Sequence, residues 1–196
     1  VRDHLDRSLH EASQVAAAVA NDDSIKITML AICQAIVGAL GANHKVLFAG
    51  NGGSAADSQH MAGEFVSRFM FDRPALPAIA LTTDSSILTA IGNDYGYEQV
   101  FSRQVSALGQ PGDVLFVYST SGNSANVVAA LMLAREKGMI TVGLTGASGG
   151  RMNDYCDHLI RIPSSCVPRI QEGHLLVGHT VCELVEAHIF TAPGAP

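Results

Sequence analysis

The sequence predicts an α/β fold: a three-layer α/β/α sandwich with a parallel sheet at its centre and a helical extension at its N-terminus. Three observations carry that reading. Five short apolar runs recur along the chain from residue 45 onward. Segments of helical periodicity lie between them. Two of the runs end in a turn rich in glycine or hydroxyl side chains that leads straight into a helix. Continuous apolar runs of this length fit parallel strands buried on both faces, and their alternation with helices gives the layers.

The elements follow in chain order. Leu5, Leu9, Ala12, Ala16 and Val19 recur at helical spacing. Residues 21–24 (NDDS) read as a turn that supplies an N-cap for a second helix. In that helix Leu30, Cys33, Ile36, Val37 and Leu40 share one side, and it ends near Gly41. Residues 1–43 are therefore expected to form a helical segment that serves oligomerisation, with packing on the chain's own sheet as the plainer alternative. Residues 44–196 are expected to form the α/β unit, the whole making a single structural domain. The expected strands are Lys45–Ala49, Ala78–Leu81, Asp113–Tyr118, Met139–Leu144 and His158–Ile162. The expected helices are Ser54–Met70, Tyr97–Leu108, Ser124–Lys137 and Arg169–Phe190. The tail Thr191–Pro196 reads as loose.

Composition bounds the function. A chain of 196 residues makes one domain, or one with a helical extension. At 47% hydrophobic and 15% charged it has ample core, and its few charges suggest surface buried against copies of itself. The net charge is −6 and the 12 Lys and Arg form no cluster, so neither nucleic acid nor an anionic membrane is an expected partner. Cys33, Cys156, Cys166 and Cys182 form no CxxC pair and read as small apolar residues of a reducing, cytoplasmic setting. The first ten residues lack the apolar core of a signal peptide. The stretch Ile27–Ala42 is interrupted by Gln34 and is shorter than a membrane span.

Five segments can carry chemistry. The run ending at Ala49 leads into Gly50-Asn51-Gly52-Gly53-Ser54, where backbone amides can approach a ligand at a helix start. Gly50, Gly52 and Ala55 fit a GxGxxA pattern. The acidic residue expected about 20 positions later is missing, Asp84 lies too far along, and no Gly-Lys-Ser/Thr follows. The second segment, Tyr118-Ser119-Thr120-Ser121-Gly122-Asn123-Ser124, places four hydroxyls at a helix start with no Lys or Arg. One hydroxyl is enough for a cap; four suit a phosphate monoester held by hydrogen bonds.

The third segment pairs His60 with Glu64, one turn apart on a helix. Such a pair fits a metal or an acid–base couple, although spacing alone favours a surface ion pair. In the fourth, His174 and His179 fall in an otherwise apolar helix that also offers Gln171 and Glu172. A lone His there is usually a satisfied core residue, and composition does not choose among the four. The fifth, Gly92–Gly96, reads as a turn whose Asn93 and Asp94 can offer hydrogen bonds to sugar hydroxyls.

Together these segments resemble the sugar isomerase (SIS) domain family. The resemblance runs from about Lys45 to Ile189, with a similar helical N-terminus, and rests on AGNGGSAADSQHMAGEF (49–65), LTAIGNDYGYEQVFSRQV (88–105), STSGNSANV (119–127) and RIQEGH (169–174) followed by His179. It implies a five-stranded parallel sheet, the SIS fold, and a homotetramer with active sites at subunit interfaces. It implies a sugar-phosphate substrate, no nucleotide cofactor, and one zinc ion per subunit as seen in some members. The implied activity is aldose–ketose isomerisation of sedoheptulose 7-phosphate through an enediol, supplying the heptose of bacterial lipopolysaccharide or a related glycan. By the same resemblance Asn51, Gly52 and Gly53 contact substrate, as do Asn93, Asp94 and Gln171. Ser119, Thr120, Ser121 and Ser124 form the phosphate loop. Glu64 and His179 are the acid–base pair, and His60, Glu64, Gln171 and His179 the zinc ligands. The chain departs from many relatives at Cys166-Val167, where they carry Asp-Thr.

The chemistry agrees with these residues. Isomerisation moves a proton between C1 and C2, which needs a base beside carbon and a group that exchanges protons with the oxygens. Glu64 and His179 supply one of each. Gln171 and His179, however, are eight residues apart, roughly 12 Å along a helix, whereas metal bonds are about 2 Å. Both reach one ion only if Gln171 precedes the regular helix or if they come from different subunits, so the site is expected to combine chains. The runner-up reading is a non-catalytic protein-binding member of the family, of the replication-initiator-associating type. Such members lack the Glu and His found here at positions 64 and 179. A sugar-phosphate sensor, or an isomerase of another sugar phosphate, is the third.

Overall fold

The computed structural model describes residues 1–190; the tail Thr191–Pro196 lies outside the described residues. The elements run α1 (Arg2–Asn21), α2 (Asp23–Gly41), β1 (Val46–Gly50), α3 (Gly53–Val66), β2 (Ala78–Ala80) and α4 (Ser85–Asp94). A 3-10 turn (Tyr97–Gln99) leads to α5 (Ser102–Leu108), β3 (Val114–Ser119), α6 (Ala125–Glu136) and β4 (Ile140–Thr145). A second 3-10 turn (Gly150–Asp154), β5 (His158–Arg161) and α7 (Val167–Ile189) complete it.

The five strands form one sheet in the order β2-β1-β3-β4-β5, with every neighbouring pair parallel. The chain leaves β1 outward to β2 and then crosses back past β1 to β3. That reversal is a topological switch point, where the carboxyl ends of β1 and β3 open a crevice. Alternation along the strands fills both faces. Val46, Phe48, Val114, Phe116, Tyr118, Val142 and Leu144 meet α2, α3 and α7 through Ile32, Ile36, Met61, Phe65, Val177 and Val181. Leu47, Ala49, Leu115 and Val117 meet α5 and α6 through Val105, Leu131 and Ala134, with Phe101 just ahead of α5. The expected three-layer α/β/α sandwich is therefore present.

The N-terminal helices divide their work. Asp22 caps α2, its Oδ1 accepting from Ser24 N at 2.8 Å and Ile25 N at 3.2 Å. Ile25, Met29, Ile32, Cys33 and Ile36 are buried, and α2 packs against α7 and β5 of its own chain. Packing on the sheet thus accounts for this face. The opposite side leaves Ile27 (67% exposed) and Leu30 (54%) open, and α1 likewise exposes Leu5 and Leu9. Starting at Asp23, α2 has 19 residues and is long and apolar enough to cross a membrane by length and composition, which corrects the expectation that the stretch is too short. Its six buried side chains place it here as a core helix.

Several boundaries differ from the sequence reading. Strands β1, β3 and β4 each begin and end one residue later, so Ser119 closes a strand instead of opening a loop. The expected helix 97–108 breaks into a 3-10 turn and α5, and the Gln104 side chain donates to the Val100 carbonyl at the break and to the Leu81 carbonyl. The supposed turn at Gly92–Gly96 is in part the end of α4, which Asp84 caps through Ile87 N at 2.9 Å. Helix α3 stops at Val66, four residues early, and α7 starts at Val167, so Gln171 lies inside the helix. Cys166 stands at the N-cap of α7 without a side-chain capping bond.

One buried ion pair ties the start of the sheet together. Asp113, 1% exposed, accepts from Lys45 Nζ at 2.6 Å, Lys45 N at 3.0 Å and Gln110 N at 2.8 Å. Burial resists its charge, but Lys45 and the two backbone amides outweigh it and hold the carboxyl below its ordinary range. A depressed pKa adds stability above the unfolded-state value, and that stability is lost as pH falls through the folded one. Asp113→Ala is expected to cost about 3 kcal/mol at neutral pH. In chemical unfolding measured against pH, the gap to the parent should close below about pH 4. A gap unchanged at low pH would count against the pair.

Candidate active site at the switch point

The crevice is built by two turns. After β1 the chain passes through Asn51 and Gly52, whose φ of +59° suits glycine, and enters α3. After β3 it passes through Thr120, Ser121 and Gly122, whose φ is +66°, and enters α6. A Cβ on Gly122 would collide with the Gly149 carbonyl, so this loop lies flush on its neighbour. Gly146 N donates to Thr120 O at 3.0 Å, and Arg151 N to Asn123 Oδ1 at 3.0 Å. Asn51 and Asn126 exchange side-chain amide bonds of 2.8 and 2.9 Å across the crevice. The sequence reading did not single out Asn126, although it stands within the STSGNSANV segment. A buried Asn in the first turn of a helix that follows a ligand loop is the signal that marks it.

The hydroxyl loop does not spend its side chains on capping. Ser124 stands at the N-cap of α6 but makes no side-chain capping bond; its Oγ lies 3.0 Å from Ser119 Oγ. Ser121 Oγ accepts only from Asn123 N, at 3.1 Å. Capping therefore does not account for these hydroxyls. A cleft of about 290 Å³ opens on Thr120 and Ser121, with Gly146, Ser164 and Ile170 on its other side. It is a hydrogen-bonding cradle at a positive helix end, fit for an anion.

A second centre joins α3 to α7. His60 Nε2 lies 3.0 Å from Glu64 Oε1 and 3.0 Å from His179 Nε2. The ligand atoms of all three lie within 4.8 Å of one another. Spacing alone favoured an ion pair; the third partner, from a helix 119 residues away, makes it a cluster. Two imidazoles and one carboxylate form the donor set of an open metal centre, with a further position for water or substrate. Atoms bound to one ion at about 2 Å lie a little over 3 Å apart, which these separations fit.

The remaining expected residues sit elsewhere. Gln171 is two turns before His179 in α7, and its amide lies against Gly53, so a Cβ there would strike it. It belongs with the glycine turn, not with the cluster of its own chain. Asn93 and Asp94 are exposed at the end of α4, and Asn93 Nδ2 donates to Asp94 Oδ1 at 2.7 Å. Their one side-chain hydrogen bond among the described residues is to each other, not to either centre. His174 is fully buried, as a core residue should be, but neither ring nitrogen has a hydrogen-bond partner among the described residues. Burial pulls its pKa down to about 4, with the Thr145 backbone acting the other way. Its ring lies 5.8 Å from that of Tyr118, whose hydroxyl is likewise buried and unpaired.

Comparison with known proteins gives a consistent picture. The SIS domain family model matches residues 9–146. A phosphoheptose isomerase of Burkholderia pseudomallei (strain K96243) is 58% identical over 187 residues, covering 95% of each chain. One from Aneurinibacillus thermoaerophilus is 52% identical over 190 residues, covering 97% of this chain and 96% of its own. The solved phosphoheptose isomerase of Neisseria gonorrhoeae superposes with a TM-score of 0.89 at 40% identity, over 95% of this chain and 98% of that one. That of Francisella tularensis gives 0.90 at 36%, over 94% and 97%.

Proposed function

This chain belongs to the SIS-domain family and, within it, to the phosphoheptose isomerases, and we propose that it interconverts sedoheptulose 7-phosphate and the corresponding aldose heptose 7-phosphate. The observation that carries the reading is the acid–base cluster His60–Glu64–His179 in a chain that also builds a neutral phosphate cradle. The hydroxyls of Ser119, Thr120, Ser121 and Ser124 hold the phosphate, with the first amides of α6. Asn51, Gly52 and Gly53 offer amide hydrogen bonds to the sugar, and Asn93, Asp94 and Gln171 bind its hydroxyls. Glu64 takes the proton from C1 of the ketose and returns it at C2. His179 exchanges protons with the two oxygens, so that no charge builds on the enediol. His60, Glu64 and His179 would hold a zinc ion, with Gln171 from a neighbouring subunit completing the set. Bound there, zinc polarises the carbonyl as a Lewis acid.

Two features support a site shared between subunits of a homotetramer. Helix α3 runs back from the carboxyl edge of the sheet, so Glu64 lies 11 positions beyond Gly53, roughly 16 Å along the helix. The cluster of one chain thus stands well away from the glycine turn that is to meet the sugar. The exposed apolar side chains of α1 and α2 also give subunits a surface to bury. Free thiols at all four cysteines fit a cytoplasmic setting.

The test is turnover of sedoheptulose 7-phosphate followed by NMR in heavy water, with and without chelator and added zinc. The expected product is an aldose heptose phosphate carrying deuterium at C2. Activity should fall with chelator and return with zinc. Neither product nor exchange from folded, zinc-supplied protein would refute the assignment.

A further inference from the structure

We propose that Arg73 and Glu186 are positioning residues that hold Glu64 and His179 at their working separation, an inference that rests on the isomerase reading above. The two form a buried ion pair, Arg73 Nε to Glu186 Oε1 at 2.9 Å, with side chains 3% and 1% exposed. Neither belongs to the cluster or the cradle. What they grip is specific. Arg73 Nη2 donates to the backbone carbonyl of Glu64 at 2.7 Å, and Nη1 to that of Phe65 at 2.7 Å. These are last-turn carbonyls of α3, which have no partner within the helix. Glu186 accepts from the backbone amides of Phe69 at 2.9 Å and Met70 at 2.6 Å. The ring of Phe69 in turn lies against that of His179, with centroids 5.6 Å apart.

Glu186 is seven residues after His179 in α7, two turns along the same face. One planar fork and one carboxylate therefore link the helix that carries Glu64 to the helix that carries His179. They do so at the residue that holds the base and through the ring that backs the acid. A buried ion pair adds little stability over an apolar pair of equal volume, so what distinguishes this one is where it grips: the backbone at Glu64 and the segment that carries Phe69. Two carbonyls and a carboxylate held in fixed directions need a guanidinium, and lysine cannot reproduce the fork.

The test uses the full chain with Arg73→Lys and, as a second variant, Glu186→Gln. Each is assayed well below its own unfolding midpoint, so that all of it is folded. Misplacing a reacting group by about 1 Å costs up to a hundredfold in rate. The expected result is kcat lower by about ten- to a hundredfold with KM within about twofold. A crystal structure of Arg73→Lys should show Glu64 and His179 farther apart, and that readout needs no substrate. It decides the proposal even if the parent protein fails to turn over sedoheptulose 7-phosphate, a failure that would sink the isomerase reading alone. Unchanged kcat in the folded variants, a kcat loss that vanishes on cooling, or an unchanged separation in the crystal would each overturn the proposal.

Discussion

Glu64→Gln is expected to lower kcat for the isomerisation by about three orders of magnitude while leaving the fold intact. Loss of a general base commonly costs a factor of about 10² to 10⁴, and in the proposed mechanism one group both removes and returns the proton. The fold should tolerate the change, because the Glu64 side chain is 24% exposed and its contact is His60, not the hydrophobic core. The amide keeps the shape and one acceptor oxygen but cannot take a proton from carbon. Exchange of substrate hydrogen with heavy water should stop together with turnover, because both pass through the same proton removal. Zinc content separates the two roles of this residue. A variant that keeps zinc yet loses exchange assigns Glu64 as the base; one that loses both assigns it as a ligand as well. A kcat within tenfold of the parent, with exchange retained, would remove Glu64 from the proton transfer.

The distinction between base and ligand reflects how the sequence encodes this site. The strands were legible because burial on both faces leaves continuous apolar runs, and each was placed within a residue or two. The hydroxyl loop was legible because four hydroxyls exceed what a cap requires, and in the structure Ser124 indeed does not cap. Helix α4 was missed. Its stripe of Ile87, Leu88 and Ile91 is short, and Gly92 beside Asn93 and Asp94 is turn chemistry that a helix accepts in its last turn. None of its residues is buried, so the stripe was never deep enough to stand out.

The cluster and its support were invisible for a different reason. His60 and Glu64 share a turn, but what makes them a centre is His179, 119 residues away from His60. The early end of α3 depends likewise on Glu186, 113 residues from Arg73. Local periodicity continues the helix to Met70, whereas tertiary hydrogen bonds stop it at Val66 by claiming the carbonyls of Glu64 and Phe65 and the amides of Phe69 and Met70. Long-range polar contacts of this kind leave no trace in spacing. They become readable only through motif order, which is how the resemblance to SIS-domain proteins placed Glu64 and His179 together.

Mixing two inactive variants is expected to restore activity, and this is the sharpest consequence of the separation between cradle and cluster. Ser121→Glu puts a negative charge in the proposed phosphate cradle. Ser121 is exposed, so the fold should survive. Each lost hydrogen bond to a charged group costs about 1.5 to 3 kcal/mol, and with repulsion added kcat/KM should fall at least a thousandfold. Glu64→Gln is inactive for the reason given above. In a hybrid of the proposed tetramer, a site that takes its cradle from one subunit and its cluster from the next finds both intact wherever a Glu64→Gln cradle meets a Ser121→Glu cluster. With random exchange, about a quarter of sites should be whole, and turnover should recover in proportion. If each chain carries a complete site, every site in the mixture keeps one lesion and no activity returns. That outcome would require Gln171 and His179 of one helix to serve the same substrate from two turns apart. In this structure Gln171 lies against Gly53 at the sheet edge and His179 against His60 farther down α3, so the geometry favours recovery.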